Sequence, residues 1–168
     1  FPPAMFERVM APAKEAGIPI TVHAGEQCKP PDFSGAPATF IHDAIIKLGA
    51  RRIGHGVALM DNSREGLEAR ALAKDHGIGI ECCPTSNEMM GVVGHGDHPL
   101  RRFLDEGLLV SVGTDDPLFF GVASVRDMMK KNGADLSVTP YDLLKMSMNG
   151  VRTAFVTEKR RAELNRKL

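Results

Sequence analysis

The 168 residues carry 21 Lys and Arg against 21 Asp and Glu, for zero formal net charge, with 43% hydrophobic and 25% charged residues. That balance is ordinary for one globular domain. It excludes the one-signed footprint of a nucleic-acid or membrane-surface binder and leaves a small polar or neutral ligand.

The segment "AMFERVMAPAKEAG" has apolar residues at helical spacing and ends at Gly17, a C-cap signal, before a strand "IPITVHA". The pattern recurs three times: "ATFIHDAIIKLGA" leads to "RRIGHGVAL", "LEARALAKDHG" to "IGIECCPTSN", and "LRRFLDEG" to "LLVSVGTDDP". The strands start near residues 18, 52, 78 and 108, so successive starts lie 34, 26 and 30 residues apart. This is βαβ spacing, since a parallel pair needs a crossover of a dozen or more residues. Helices are predicted near 122 to 131 and 140 to 149, and in the charged "TEKRRAELNRKL". No linker divides the chain, so residues 1–168 read as one α/β unit.

Parallel α/β folds bind ligands at the carboxyl ends of their strands. Here all four ends are polar: "HAGE", "GHG", "CPTSN" and "TDDP". Polar side chains at every successive strand end suit a barrel rim better than a single switch point. The predicted fold class is therefore half of a (β/α)8 TIM-type barrel. Four strands alone leave two open edges, which closure normally removes, so the complement must come from a missing half-barrel or from a homo-oligomer.

Imidazole and carboxylate at one rim suit a borderline divalent metal, zinc above all. His23 and Asp115 are the candidate ligands, and Glu26 and His55 can orient a nucleophile and move protons. Asp116 beside Asp115 can point elsewhere and bind substrate. Bland readings exist for each. His23 and His55 could be packed histidines, Asp115 and Asp116 before Pro117 could be turn and N-cap residues, and "CPTSN" could be a Pro turn with Ser and Asn capping. Their joint occurrence at four consecutive strand ends argues against all of these together. His42 in a helix and His76 at a helix end read as solvated or packed, and His95 and His98 in "GHGDHPL" as parts of a Gly-rich loop capped by Asp97. Cys82 and Cys83 read as packing residues. Adjacent cysteines make a poor disulfide framework, so a reducing, cytoplasmic setting is expected. No run approaches the roughly 20 apolar residues that span a bilayer. The chain starts at Phe1 rather than Met, as a processed or partial product would.

Taken in order, "TVHAGE", "RRIGHGV", "CPTSN" and "TDDPLFF", with "HPLRRFLDEG" and "MNGVRTAF", resemble the C-terminal half of the adenosine deaminase family of metal-dependent amidohydrolases. The resemblance implies strands five to eight of an eight-stranded barrel and deamination of adenosine, adenine or another 6-aminopurine. It implies His23 as a zinc ligand, Glu26 as the proton donor to purine N1, and His55 as the group that orients and helps deprotonate the attacking water. Asp115 matches the last zinc ligand and a base toward that water, Asp116 a hydrogen-bond partner of purine N7, and Gly25 a point of close approach to the ring. The family's HxH pair of ligands occurs nowhere in these 168 residues, so the zinc shell is incomplete and the chain alone is expected to be inactive. The segment after Glu26 is longer than a compact loop, and "SVRDMM" replaces a Glu-Tyr pair common after the TDDP loop. Two alternatives remain: a catalytically silent half-barrel that dimerises or binds a partner, and a different hydrolase holding metal with His23, His55 and Asp115 alone.

Overall fold

A computed structural model describes residues 2–26 and 37–168. Most of the long segment expected after Glu26 lies outside the described residues. A 3-10 turn, Pro3–Phe6, leads into α1 (Glu7–Glu15), followed by β1 (Ile20–Ala24), α2 (Pro37–Ile46), β2 (Ala50–His55) and a second 3-10 turn, Val57–Met60. Then come α3 (Arg64–Asp75), β3 (Gly79–Cys82), α4 (Pro84–Met89), α5 (Leu100–Asp105) and β4 (Leu109–Val112), and the chain closes with α6 (Val125–Asn132), α7 (Pro140–Thr153) and α8 (Glu158–Asn165).

All four predicted strands form, and they pair in parallel in the order β1-β2-β3-β4. Helix α6 starts later than the sequence pattern suggests because Ser124 caps it, its Oγ accepting from the Asp127 N–H at 3.1 Å. Helix α7 is longer than expected and starts at a capping box between Thr139 and Asp142. "PTSN" is not a turn with caps; it is the start of α4, with Pro84 in the first turn, where its missing N–H costs nothing.

Because side chains alternate along a strand, each register row faces one side of the sheet. Val22, Ile53, Ile80 and Val110 stand in one row, and the last three are fully buried against the helices together with Ile41, Phe103 and Leu104. This is the core. The opposite rows are polar. Thr21, Arg52 and Gly79 align, as do His23, Gly54, Glu81 and Ser111. Glu81 accepts from Thr21 Oγ1 at 2.8 Å and pairs with the Arg52 guanidinium at 2.8 Å, while Arg52 also lies over the Phe155 ring, 4.2 Å from its centre. Among the described residues, β1 and β4 each pair on one side only. On the open side of β4, Asn149 Nδ2 of α7 donates to the Val110 carbonyl at 3.1 Å.

Arg70 fixes the segment that follows β2. Its buried guanidinium donates to the carbonyls of Leu59 and Asp61 and pairs with Glu106 at 3.2 Å. No described helix is long and apolar enough to cross a membrane.

Candidate active site

The carboxyl ends of the four strands converge as the sequence pattern implies. β1 aims His23 at the polar face, and Gly54 directly opposite on β2 leaves room for the ring. A Cβ on Gly54 would stand 2.6 Å from His23 Cδ2. Into that space His23 brings its ring edge-on to His55, with centroids 4.7 Å apart and planes at 84°. The chain then turns through Gly25, at φ +64°, and Glu26 comes round to face the same group, its Oε1 3.8 Å from His55 Nδ1. This is why an imidazole and a carboxylate sit three positions apart at a strand end. The close approach that Gly25 makes here is to its own protein, since a Cβ would meet Ile41 Cδ1 at 2.5 Å and Ala58 Cβ at 3.0 Å.

His55 stands at the centre and is 2% exposed. Its backbone is left-handed, φ +66°, inside a three-residue turn closed by Gly56 N–H donating to the Gly54 carbonyl at 3.0 Å. Asp115 is also left-handed, φ +58°, and its Oδ2 lies 3.9 Å from His55 Nε2. Positive φ is uncommon for residues with a Cβ and concentrates at functional sites. Helix α4 supplies two further partners. Ser86 Oγ donates to Asp115 Oδ2 at 2.7 Å, and Asn87 Nδ2 lies 3.1 Å from His55 Nδ1.

Among the described residues, donor atoms within 4.8 Å of one another form two groups, His23 with Glu26 and His55, and His55 with Cys83 and Asp115. His55 is common to both, and neither joins His23 to Asp115 in a single three-donor set, which weighs against His23, His55 and Asp115 as a self-sufficient metal site. Burial pushes the Cys83 thiol up to about 12, with the carboxylates of Asp115, Glu81 and Glu26 adding to the effect. Asp116 is exposed, and no described hydrogen bond or ion pair ties its carboxylate to the cluster. His95 is exposed and paired with Glu88, its pKa raised by that hydrogen bond, while His42 lies on exposed helix surface and His76 ends α3.

The sequence profile described as "Adenosine deaminase" matches residues 1–168. The chain belongs to the adenosine deaminase family. It is 37% identical over 169 residues to an adenosine deaminase of Yersinia pseudotuberculosis, covering all of this chain and 47% of that protein. The chain thus spans about half the length of the curated relatives it matches. Among solved structures it resembles an adenine deaminase from Arthrobacter aurescens, with TM-score 0.82 and 31% identity over 97% of this chain and 46% of the other. It also shares the fold of an amidohydrolase from Burkhoderia ambifaria solved with bound zinc, with TM-score 0.81, 24% identity, and 98% and 43% of the two chains covered. These neighbours are TIM-barrel amidohydrolases, so the four βα units are half of such a barrel, as expected.

In this adenosine deaminase family chain, His23, Glu26, His55 and Asp115 are brought together from three strand ends, and Asp116 is not. The sequence alone gives Ser86 and Asn87 no more than a capping reading and His98 a place in a Gly-rich loop. The signal available was "CPTSN" itself, a proline opening a helix directly at a strand end, which places the next polar side chains over the rim.

Proposed function

We propose that the protein carrying this chain is a zinc-dependent hydrolase that converts a 6-aminopurine, adenosine by preference, to the 6-oxo compound and ammonia, with this chain supplying the C-terminal part of the site. The single observation that carries the reading is the convergence of His23, Glu26, His55 and Asp115 on one rim. The donor set fits zinc, which takes imidazole nitrogen and carboxylate oxygen readily. His23 and Asp115 would hold it, with the remaining ligands from a complementary half-barrel. When bound, the ion supplies Lewis-acid charge and lowers the pKa of water.

The chain's own groups do the rest. Glu26, as the acid, gives its proton to ring N1 as water adds at C6. His55, held from behind by Asn87, orients that water. Asp115, steadied by Ser86, takes the water's proton and passes it to the C6 amino group, which leaves as ammonia while the new C6 hydroxyl returns a proton to Glu26 and becomes the 6-oxo group. Asp116 is available to ring N7 from outside the cluster. The 31% identity to an adenine deaminase supports the free base as a second substrate.

Loss of adenine absorbance together with ammonia release tests the reaction on the full-length protein. Glu26→Gln is expected to lower kcat by about 10²–10⁴-fold, the usual worth of general acid catalysis, while zinc content is retained. Near-wild-type turnover in that variant removes Glu26 from the mechanism.

A further inference from the structure

His98 lies outside the cluster, yet a line of hydrogen bonds joins it to the centre. The line starts at a donor that has no freedom. The backbone N–H of Leu100 donates to His98 Nδ1 at 3.1 Å. A ring nitrogen that accepts carries no proton, so neutral His98 bears its hydrogen on Nε2. That nitrogen sits 3.2 Å from Asn87 Oδ1 and donates to it. The other end of the amide, Nδ2, then donates to His55 Nδ1 at 3.1 Å.

The reverse orientation of the amide fails on chemical grounds. It would set Asn87 Nδ2 against His98 Nε2 and require an imidazole with both nitrogens bare. One backbone donor therefore settles the amide orientation and both tautomers, which distance alone does not. His55 accepts at Nδ1, so its proton is on Nε2, the nitrogen facing Asp115.

We propose that His98 is a positioning residue for His55, fixing through Asn87 the tautomer that presents an N–H, rather than a lone pair, toward Asp115 and the reacting water. Asn87 is 0% exposed and His98 6%, so solvent does not stand in for a lost partner. Burial holds His98 neutral, its pKa pushed down to about 4, with the neighbouring His55 acting in the same direction. Backbone bonds fix the middle of the line, because the Asn87 carbonyl accepts from Val92 N–H at 2.8 Å and its own N–H donates to the Cys83 carbonyl at 3.0 Å. Resting on the deaminase reading, this also divides the labour at the site: His55 donates to the water oxygen, and proton removal falls to Asp115.

The test is long-range ¹H–¹⁵N spectroscopy of histidine-labelled full-length protein, metal-free and zinc-loaded, which distinguishes protonated from bare ring nitrogens. Wild type is expected to show His55 with a bare Nδ1 and a protonated Nε2. His98→Leu frees the Asn87 amide and mixes or reverses that pattern, and His98→Gln restores it by donating to Asn87 Oδ1. Asn87→Asp, which keeps the side-chain size, turns the donor into an acceptor and moves the His55 proton to Nδ1, so the relay is read even if His98→Leu fails to fold. In turnover, His98→Leu lowers kcat by about 10-fold, the scale of lost outer hydrogen bonds around a metal site, with KM within about twofold, and His98→Gln recovers the rate. A wild-type His55 protonated at Nδ1, or a folded His98→Leu with an unchanged His55 pattern, overturns the proposal. The spectrum needs no substrate, so a protein inert toward 6-aminopurines refutes the function and not the relay.

Discussion

Gly54→Ala isolates the space that lets His23 reach the cluster. The new methyl would stand 2.6 Å from His23 Cδ2, about 1 Å inside the ~3.5–4.0 Å optimum for a carbon pair. The next two contacts, at 3.2 and 3.3 Å, are atoms of the same ring, so relief comes from moving His23 and not from local backbone rearrangement. A metal site tolerates about 0.2 Å of ligand displacement, and a misplacement of about 1 Å costs on the order of 10²-fold. Zinc affinity of the full-length protein, measured by competition with a chelator, is therefore expected to fall about 100-fold, equivalent to about 2.7 kcal/mol. In a His23→Ala background the same substitution should change neither affinity nor stability further, because the clashing partner is gone. A Gly54→Ala protein that binds zinc within twofold of wild type refutes the reasoning, as does an equal destabilisation in the His23→Ala background.

Asp142 carries an acid-sensitive part of the stability. Hydrogen bonds from Thr139, side chain first and then backbone, and the Arg101 guanidinium hold its carboxyl down from 3.8 to about 2. A carboxyl depressed in the folded state stabilises fully above its unfolded value, and that contribution fades as pH falls from about 4 toward 2. Asp142→Asn should cost about 1–2 kcal/mol at neutral pH, allowing for the partly exposed Arg101, and the difference from wild type in denaturant titrations should close near pH 2. A gap that stays constant down to pH 2 assigns the effect to something other than charge. Arg70→Leu should destabilise by about 2 kcal/mol, because the buried Leu59 carbonyl loses its donor while Glu106 keeps Arg102 and Lys74, and urea unfolding reads it directly. A loss under about 1 kcal/mol means that the segment after β2 holds without this clamp.

What was legible in the sequence is what local pattern encodes. The strands at "ITVHA" and "RRIGH" follow from alternating apolar residues between helix stops, and the polar strand ends carry the four residues that the fold brings together, His23, Glu26, His55 and Asp115. The partners of that cluster were not legible in the same way. Asn87 meets His55 across 32 residues and Ser86 meets Asp115 across 29, distances no helical or strand period spans. His98 read as a loop residue because its environment is made by the burial of Leu100 and Asn87 and not by its neighbours in "GHGDHPL". The cluster of Thr21, Glu81 and Arg52, which joins two register rows, was hidden for another reason. Alternation shows that two faces differ, but not which charges pair across three strands.

The two left-handed residues at the centre have a consequence for how this chain can be improved. An L-residue with a Cβ gives up roughly 1–2 kcal/mol in that conformation, a cost that glycine does not bear, although aspartate and histidine tolerate it better than most. Positions 55 and 115 are thus where a screen for heat resistance and a screen for turnover return opposite winners. Replacement by glycine would relax the backbone and delete the central imidazole or its facing carboxylate. Directed evolution of this fold for robustness should hold both positions fixed and look for its gains among the helices behind the sheet.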